Sequence, residues 1–180
     1  PYPMDKYLRT RLGKSKNLDT AFDFSADHGL IRATEKCNGA GNCRSVQPKG
    51  SMCPSYRATH DEKHNTRGRA NVLREVLTNN KKPNVFDSLE LKEVMDLCLS
   101  CKACATECPS SVDISTYKSE FLFQYKKKHG SSFRDMIFAY FGKLNSAVEP
   151  IRFLQNFLFN TPGFDFLIKS RLGIAQSRSI

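Results

Sequence analysis

At 180 residues with 39% hydrophobic side chains, the chain is long enough for one or two compact units, and no apolar stretch approaches the ~18 residues a membrane span requires. The net charge of +10 is not gathered into one block, and no nucleic-acid motif accompanies it, so it reads as a solvated basic surface or one that meets an acidic partner or an anionic lipid face. Seven cysteines, an odd number with no signal-peptide pattern before them, argue against a disulfide scaffold and for a cytoplasmic setting with at most peripheral contact on the cytoplasmic membrane face.

Residues 1–33 are polar, with Pro1, Pro3, Gly13 and scattered Lys and Arg, and predict an extended arm or linker. Cys37-Asn38-Gly39-Ala40-Gly41-Asn42-Cys43 follows, then Cys53-Pro54. Gly39 and Gly41 suit left-handed turns that bring backbone N–H groups close to a bound group. Asn65 or Thr66 is placed to cap a helix from about Arg67 to Thr78, where Val72, Leu73, Val76 and Leu77 recur at helical spacing. Asp87-Ser88-Leu89-Glu90 reads as a capping box with Asp87 at the cap. The helix it opens sets Leu91, Val94, Met95 and Cys98 on one face and delivers Cys98 to the buried side.

The second cysteine run is Cys98, Cys101, Cys104 and Cys108-Pro109. Beyond it, Ile114, Tyr117, Phe121, Leu122 and Tyr125 predict a helix of about four turns, with Lys126, Lys127, Lys128 and His129 at its carbonyl end and Gly130 after it. Ser132 with Asp135 starts another helix, and Thr161-Pro162 opens a last one closing near Gly173. No alternating strand pattern occurs. The expected fold is all-α, with residues 34–128 holding the cysteines between two short helical groups and residues 129–180 forming an aromatic-rich helical extension.

Spacing gives the cysteines their chemistry. The run C-x2-C-x2-C-x3-C-P is an iron–sulfur signature, in which three thiolates hold one cluster and the cysteine before proline reaches across to a second. On that rule Cys98, Cys101, Cys104 and Cys53 hold a [4Fe-4S] cluster, and Cys37, Cys43 and Cys108 hold the other. Ala40 occupies the place of a middle cysteine in the first frame and has no atom able to ligate iron. Three thiolates suit a [3Fe-4S] cluster; the alternative is a [4Fe-4S] cluster whose odd iron takes water, hydroxide or a side chain such as His64. Zinc sites use separated ligand pairs, which this run is not. The proline of each Cys-Pro is expected to stop a helix and turn the chain away.

Other groups admit plainer readings. Arg57, Lys63, His64, Arg67 and Arg69 could raise a cluster potential or dock an acidic partner, or simply include the solvated first turn of a helix. Asp61 and Glu62 form no catalytic pair, nothing resembles a nucleophile with its base, and the chain by itself is expected to carry no substrate site. The last third holds 10 of the 13 phenylalanines, in stretches such as Phe121–Phe123 and Phe153–Phe159, which read as helical core or a docking surface before they read as a lipid-facing one.

The stretch from Cys37 to Phe121 also carries a family resemblance, in C-x-G-x-G-x-C-R, Met52-Cys53-Pro54-Ser55-Tyr56, Glu62-Lys63-His64, Thr66-Arg67-Gly68-Arg69-Ala70, Asp96-Leu97-Cys98-Leu99-Ser100-Cys101-Lys102 and Tyr117-Lys118-Ser119-Glu120-Phe121. It resembles the α-helical ferredoxin segment of FAD-linked oxidases similar to D-lactate, glycolate and D-2-hydroxyglutarate dehydrogenases. The resemblance implies FAD on a neighbouring domain or subunit, electrons relayed one at a time from a 2-hydroxyacid dehydrogenase, and a downstream acceptor that is a cysteine-rich domain, a quinone or an electron carrier. A heterodisulfide-reductase-like or glycerol-3-phosphate-dehydrogenase-like complex, or an interaction module with structural clusters, is the alternative. The C-x5-C set further resembles the iron–sulfur subunit of succinate dehydrogenase and fumarate reductase, but here it precedes the four-cysteine run and no [2Fe-2S] set accompanies it.

Overall fold

The computed structural model describes residues 17–45, 50–151, 153, 157 and 160–178. Residues 1–16 of the expected arm, and 154–156, 158 and 159 of the Phe153–Phe159 stretch, lie outside them. All regular structure among the described residues is helical, in two compact units, Pro1–His129 and Gly130–Ile180.

The first unit contains α1 (Leu30–Glu35), α2 (Pro54–Thr59), α3 (Thr66–Asn79), α4 (Leu89–Asp96), α5 (Ala103–Glu107) and α6 (Ile114–His129), with single 3-10 turns at Ser25–Asp27, Asn42–Arg44 and Glu62–His64. Helix α3 is the hub, with α1, α4 and α6 packed against it. Its Leu73 and Leu77 meet Leu91, Met95, Ile114 and Phe121 in one core from which water is excluded. Burying such side chains contributes about 1.5–3 kcal/mol each. Asn65 caps α3, its Oδ1 accepting the Gly68 N–H at 2.6 Å. Gly68 is needed for space: a Cβ there would lie 2.1 Å from the Glu62 carbonyl oxygen.

Three expectations change. Residues 17–33 are not an extended arm: Phe24, Leu30, Ile31 and Ala33 enter the core. The buried carboxylate of Glu120 fastens the segment, accepting the N–H groups of Ala21 and Phe22 at 2.9 Å each. The cap of α4 is Ser88, whose Oγ accepts the Leu91 N–H at 3.2 Å. Asp87 instead turns its carboxylate to Lys128 Nζ (2.6 Å) and His129 Nε2 (2.8 Å), tying the start of α4 to the end of α6. Pro54 opens a helix rather than stopping one, because proline's fixed φ and missing N–H suit the first helical position. Pro109 behaves as expected, following the last residue of α5 and Cys108.

The second unit contains α7 (Phe133–Val148) and α8 (Pro162–Leu172), with a 3-10 turn at Glu149–Ile151. Ser132 and Asp135 form a reciprocal capping box for α7, and Gly173 closes α8 in the left-handed region. The side chains of Phe133, Phe138 and Phe141 on α7 and Phe166 on α8 are exposed, so they do not form the helical core considered from sequence. No described helix is long and apolar enough to cross a membrane.

Candidate metal centre

Two distant stretches of chain meet at the cysteines because Glu107, on the last turn of α5, clasps the segment before Cys53. Its carboxylate accepts Ser51 N–H at 2.9 Å, Ser51 O–H at 2.6 Å and Met52 N–H at 3.0 Å. Those hydrogen bonds, Ser51's side chain foremost, hold the Glu107 carboxyl below its ordinary range. Cys53 then sits at the start of α2 with φ 53°, a left-handed conformation that a side-chain-bearing residue adopts at a cost of roughly 1–3 kcal/mol. On the other side, α4 ends at Asp96 and the Cys98 N–H returns to the Met95 carbonyl at 3.0 Å. Ser100 and Lys102 are also left-handed, so the chain loops through Cys98 and Cys101 before α5 carries Cys104 inward.

The result is a narrow hollow lined by Cys53, Cys98, Cys101 and Cys104, together with Thr66, Arg69, Ile114 and Ser115. Cys104 and Cys53 are buried, Cys98 is half-buried and Cys101 is exposed. Among the described residues, no three His, Cys, Asp or Glu side chains are placed to hold a single metal ion between them.

Donors already face the sulfurs. Cys53 Sγ accepts the Thr66 N–H at 3.1 Å and lies 2.8 Å from Thr66 Oγ1. Burial pushes the free Cys104 thiol up to about 11, against a smaller downward pull from the backbone N–H groups of Ile114 and Ser115 at the start of α6. Burial likewise raises Cys53, opposed by Thr66 and by the Arg69 guanidinium. N–H groups at sulfur with a cation nearby are what a thiolate bound to iron needs, since hydrogen bonds to sulfur stabilise the charged ligand. The donor set therefore fits an iron–sulfur cluster.

The remaining cysteines are arranged less tightly. Cys43 is buried, lies within electrostatic reach of Cys37 and Cys53, and is pushed up by burial while the Arg67 N–H pulls it down. Cys37 and Cys108 are half-buried, Cys108 just past α5. Gly39 and Gly41 have φ of 81° and 84°, the left-handed turns their positions predict. Ala40 between them is exposed.

The basic group separates on inspection. Arg69 is 2% exposed and lines the hollow, so it is no part of a solvated turn. His64 is buried with Nδ1 engaged by Thr59 Oγ1 at 2.9 Å, and burial lowers its pKa. Arg57 donates to the Gly50 carbonyl at 2.8 Å, and Lys63 pairs with Asp61 at 3.2 Å on the surface. Asp61 itself caps the Glu62–His64 turn. Sequence reasoning missed Glu107, Thr66 and Lys118, whose Nζ donates to the Cys98 carbonyl at 2.7 Å. Thr66 and Lys118 stand in the motifs quoted above without a role at the cysteines, and Glu107 carried only its place next to Cys108.

Residues 33–112 match the family described as the 4Fe-4S dicluster domain. That match spans less than half of the chain. The chain is similar to D-2-hydroxyglutarate dehydrogenase of Escherichia coli, 28% identical over 179 aligned residues that cover 81% of this chain and 18% of the relative. The enzyme of the same name from Pseudomonas putida is 30% identical over 132 residues, covering 56% of this chain and 13% of the relative. The glycolate oxidase iron-sulfur subunit of Escherichia coli is 38% identical over 83 residues, covering 46% of this chain and 17% of the relative. The chain thus spans less than a fifth of the length of these curated relatives. Its kinship with the iron–sulfur domain of FAD-linked hydroxyacid dehydrogenases, carried by the motifs above, is supported by these matches. No solved structure matches it.

Proposed function

We propose that this chain relays single electrons from a FAD-linked 2-hydroxyacid dehydrogenase to a downstream acceptor through two iron–sulfur clusters. Cys53, Cys98, Cys101 and Cys104 hold a [4Fe-4S] cluster, and Cys37, Cys43 and Cys108 hold a second, either [3Fe-4S] or a [4Fe-4S] whose corner at Ala40 has no thiolate. When bound, the clusters supply the reversible one-electron chemistry, and the chain supplies thiolates, N–H donors and exclusion of water. The described part of the first unit, residues 17–129, is the relay unit, and the segments on either side of it join it to a flavin domain or subunit and to the acceptor.

The observation that carries this reading is the hollow walled by Cys53 from one segment and by Cys98, Cys101 and Cys104 from another. That is the crosswise set expected when a cysteine before proline serves the neighbouring run. The relatives named above support the hydroxyacid and flavin side of the proposal.

Iron and acid-labile sulfide are to be measured on anaerobically purified protein, with EPR before and after dithionite. About seven irons, with an oxidised-state three-iron signal that fades on reduction, is the outcome for a [3Fe-4S] plus [4Fe-4S] pair. About eight irons and an EPR-silent oxidised state assigns two [4Fe-4S] clusters. Clusters that stay unreduced would overturn the relay.

A further inference from the structure

Charged side chains are rarely buried without an opposite partner, because removing an ion from water is costly. In the first unit, Glu120 answers its burial with the backbone N–H groups of Ala21 and Phe22. Arg69 is different. Its guanidinium donates from Nε to the Val94 carbonyl at 3.1 Å, from Nη1 to the His64 carbonyl, and from Nη2 to Ser55 Oγ at 3.0 Å. All three acceptors are neutral, and no carboxylate pairs with Arg69 among the described residues. Three of the five N–H groups of a guanidinium are thereby fixed, and the side chain lines the same hollow as Cys53, Cys98, Cys101 and Cys104. The counter-charge that would justify this buried cation is an anion in the hollow.

We propose that Arg69 is the fixed counter-cation of the four-cysteine site and raises the reduction potential of the cluster bound there. The inference rests on the cluster reading above. Reduction adds one electron and one unit of negative charge, delivered in the test by dithionite through mediators. No bond forms or breaks, and Arg69 keeps its proton. A cation held by three hydrogen bonds favours the more negative state without having to reorganise. Arginine suits the task better than lysine, since its rigid fork is anchored on one side while it remains charged under all working conditions. Arg69 is thus a positioning residue that acts through charge.

The test is EPR-monitored redox titration of the loaded full chain, comparing wild type with Arg69→Gln and Arg69→Lys. In Arg69→Gln the equilibrium constant for reducing the four-cysteine cluster is expected to fall at least tenfold, which is 59 mV for one electron. Arg69→Lys is expected to fall less than threefold, and the second cluster to stay within twofold in both. A glutamine variant within twofold of wild type, or equal shifts in the two variants, would overturn the role. Should either variant lose its cluster, pulsed EPR of reduced wild type labelled with guanidinium-15N arginine decides: nitrogen coupling to the four-cysteine cluster supports it, and none overturns it. A wild-type chain that takes up no iron and sulfide overturns the cluster reading itself, whereas a loaded, reducible chain with an indifferent Arg69 overturns this inference alone.

Discussion

Glu107 Oε2 accepts the Met52 N–H at 3.0 Å, joining the residue before Cys53 to the residue before Cys108. One carboxylate thus sets the approach of both Cys-Pro segments. Glu107→Gln keeps the length of the side chain but loses its charge and some of its acceptor capacity toward Ser51 and Met52. The expected outcome is lower cluster occupancy after purification and faster iron loss to a chelator. Iron analysis and bathophenanthroline release kinetics check this.

Gly68→Ala tests the close pass of the Glu62–His64 turn over α3. In an ordinary helix interior, alanine in place of glycine stabilises by roughly 0.5–1 kcal/mol. Here the new methyl would meet the Glu62 carbonyl oxygen at 2.1 Å, a backbone atom that cannot swing aside. Net destabilisation of about 1–3 kcal/mol is expected, as for other overpacked sites. Denaturant unfolding followed by circular dichroism measures it.

Ala40→Cys supplies the thiolate absent from the first cysteine frame. Ala40 is exposed between two left-handed glycines, so the larger side chain meets no steric barrier. If the second cluster is [3Fe-4S], iron per chain should rise from about seven to about eight and the oxidised-state three-iron signal should vanish. An unchanged three-iron signal in the variant would place Ala40 away from the open corner.

Asp87 predicts an acid-sensitive clasp between α4 and α6. The hydrogen bond from Lys128, then that from His129, holds its carboxyl well below the usual range. A group whose folded pKa is depressed contributes stability above its unfolded pKa and loses it as the pH falls through the folded value. Asp87→Asn should therefore melt a few degrees below wild type near neutral pH, with the gap closing in strong acid. Thermal scans of both proteins across that range test the sign.

The longer helices were legible because they are long enough to show a period. Helix α3 with its Asn65 cap and α6 with its basic end emerge within a residue or two of their expected bounds, and α7 starts at its expected Ser132 box. Helices α1, α2 and α5, at five or six residues, are too short for a period to register. Cysteine spacing gave the four residues that line the hollow, since ligand geometry imposes its own regularity on the sequence. What stayed hidden depends on contacts between distant segments: Glu107 reaching Ser51, Glu120 reaching Ala21, and Arg69 turning inward from a turn that reads as solvated. Asp87 and Ser88 are both competent caps, and only the nearness of Lys128 and His129 decides between them.

The hollow's walls come from chain segments roughly 45 residues apart, so an occupant bonded to all four cysteines is also a cross-link, and closing a loop of that size is worth about 4 kcal/mol in chain entropy. Loading and folding are then two views of one equilibrium. Chelation should act on this chain as a denaturant, loosening the link between α2 and α5 before it disturbs the Leu73–Phe121 core.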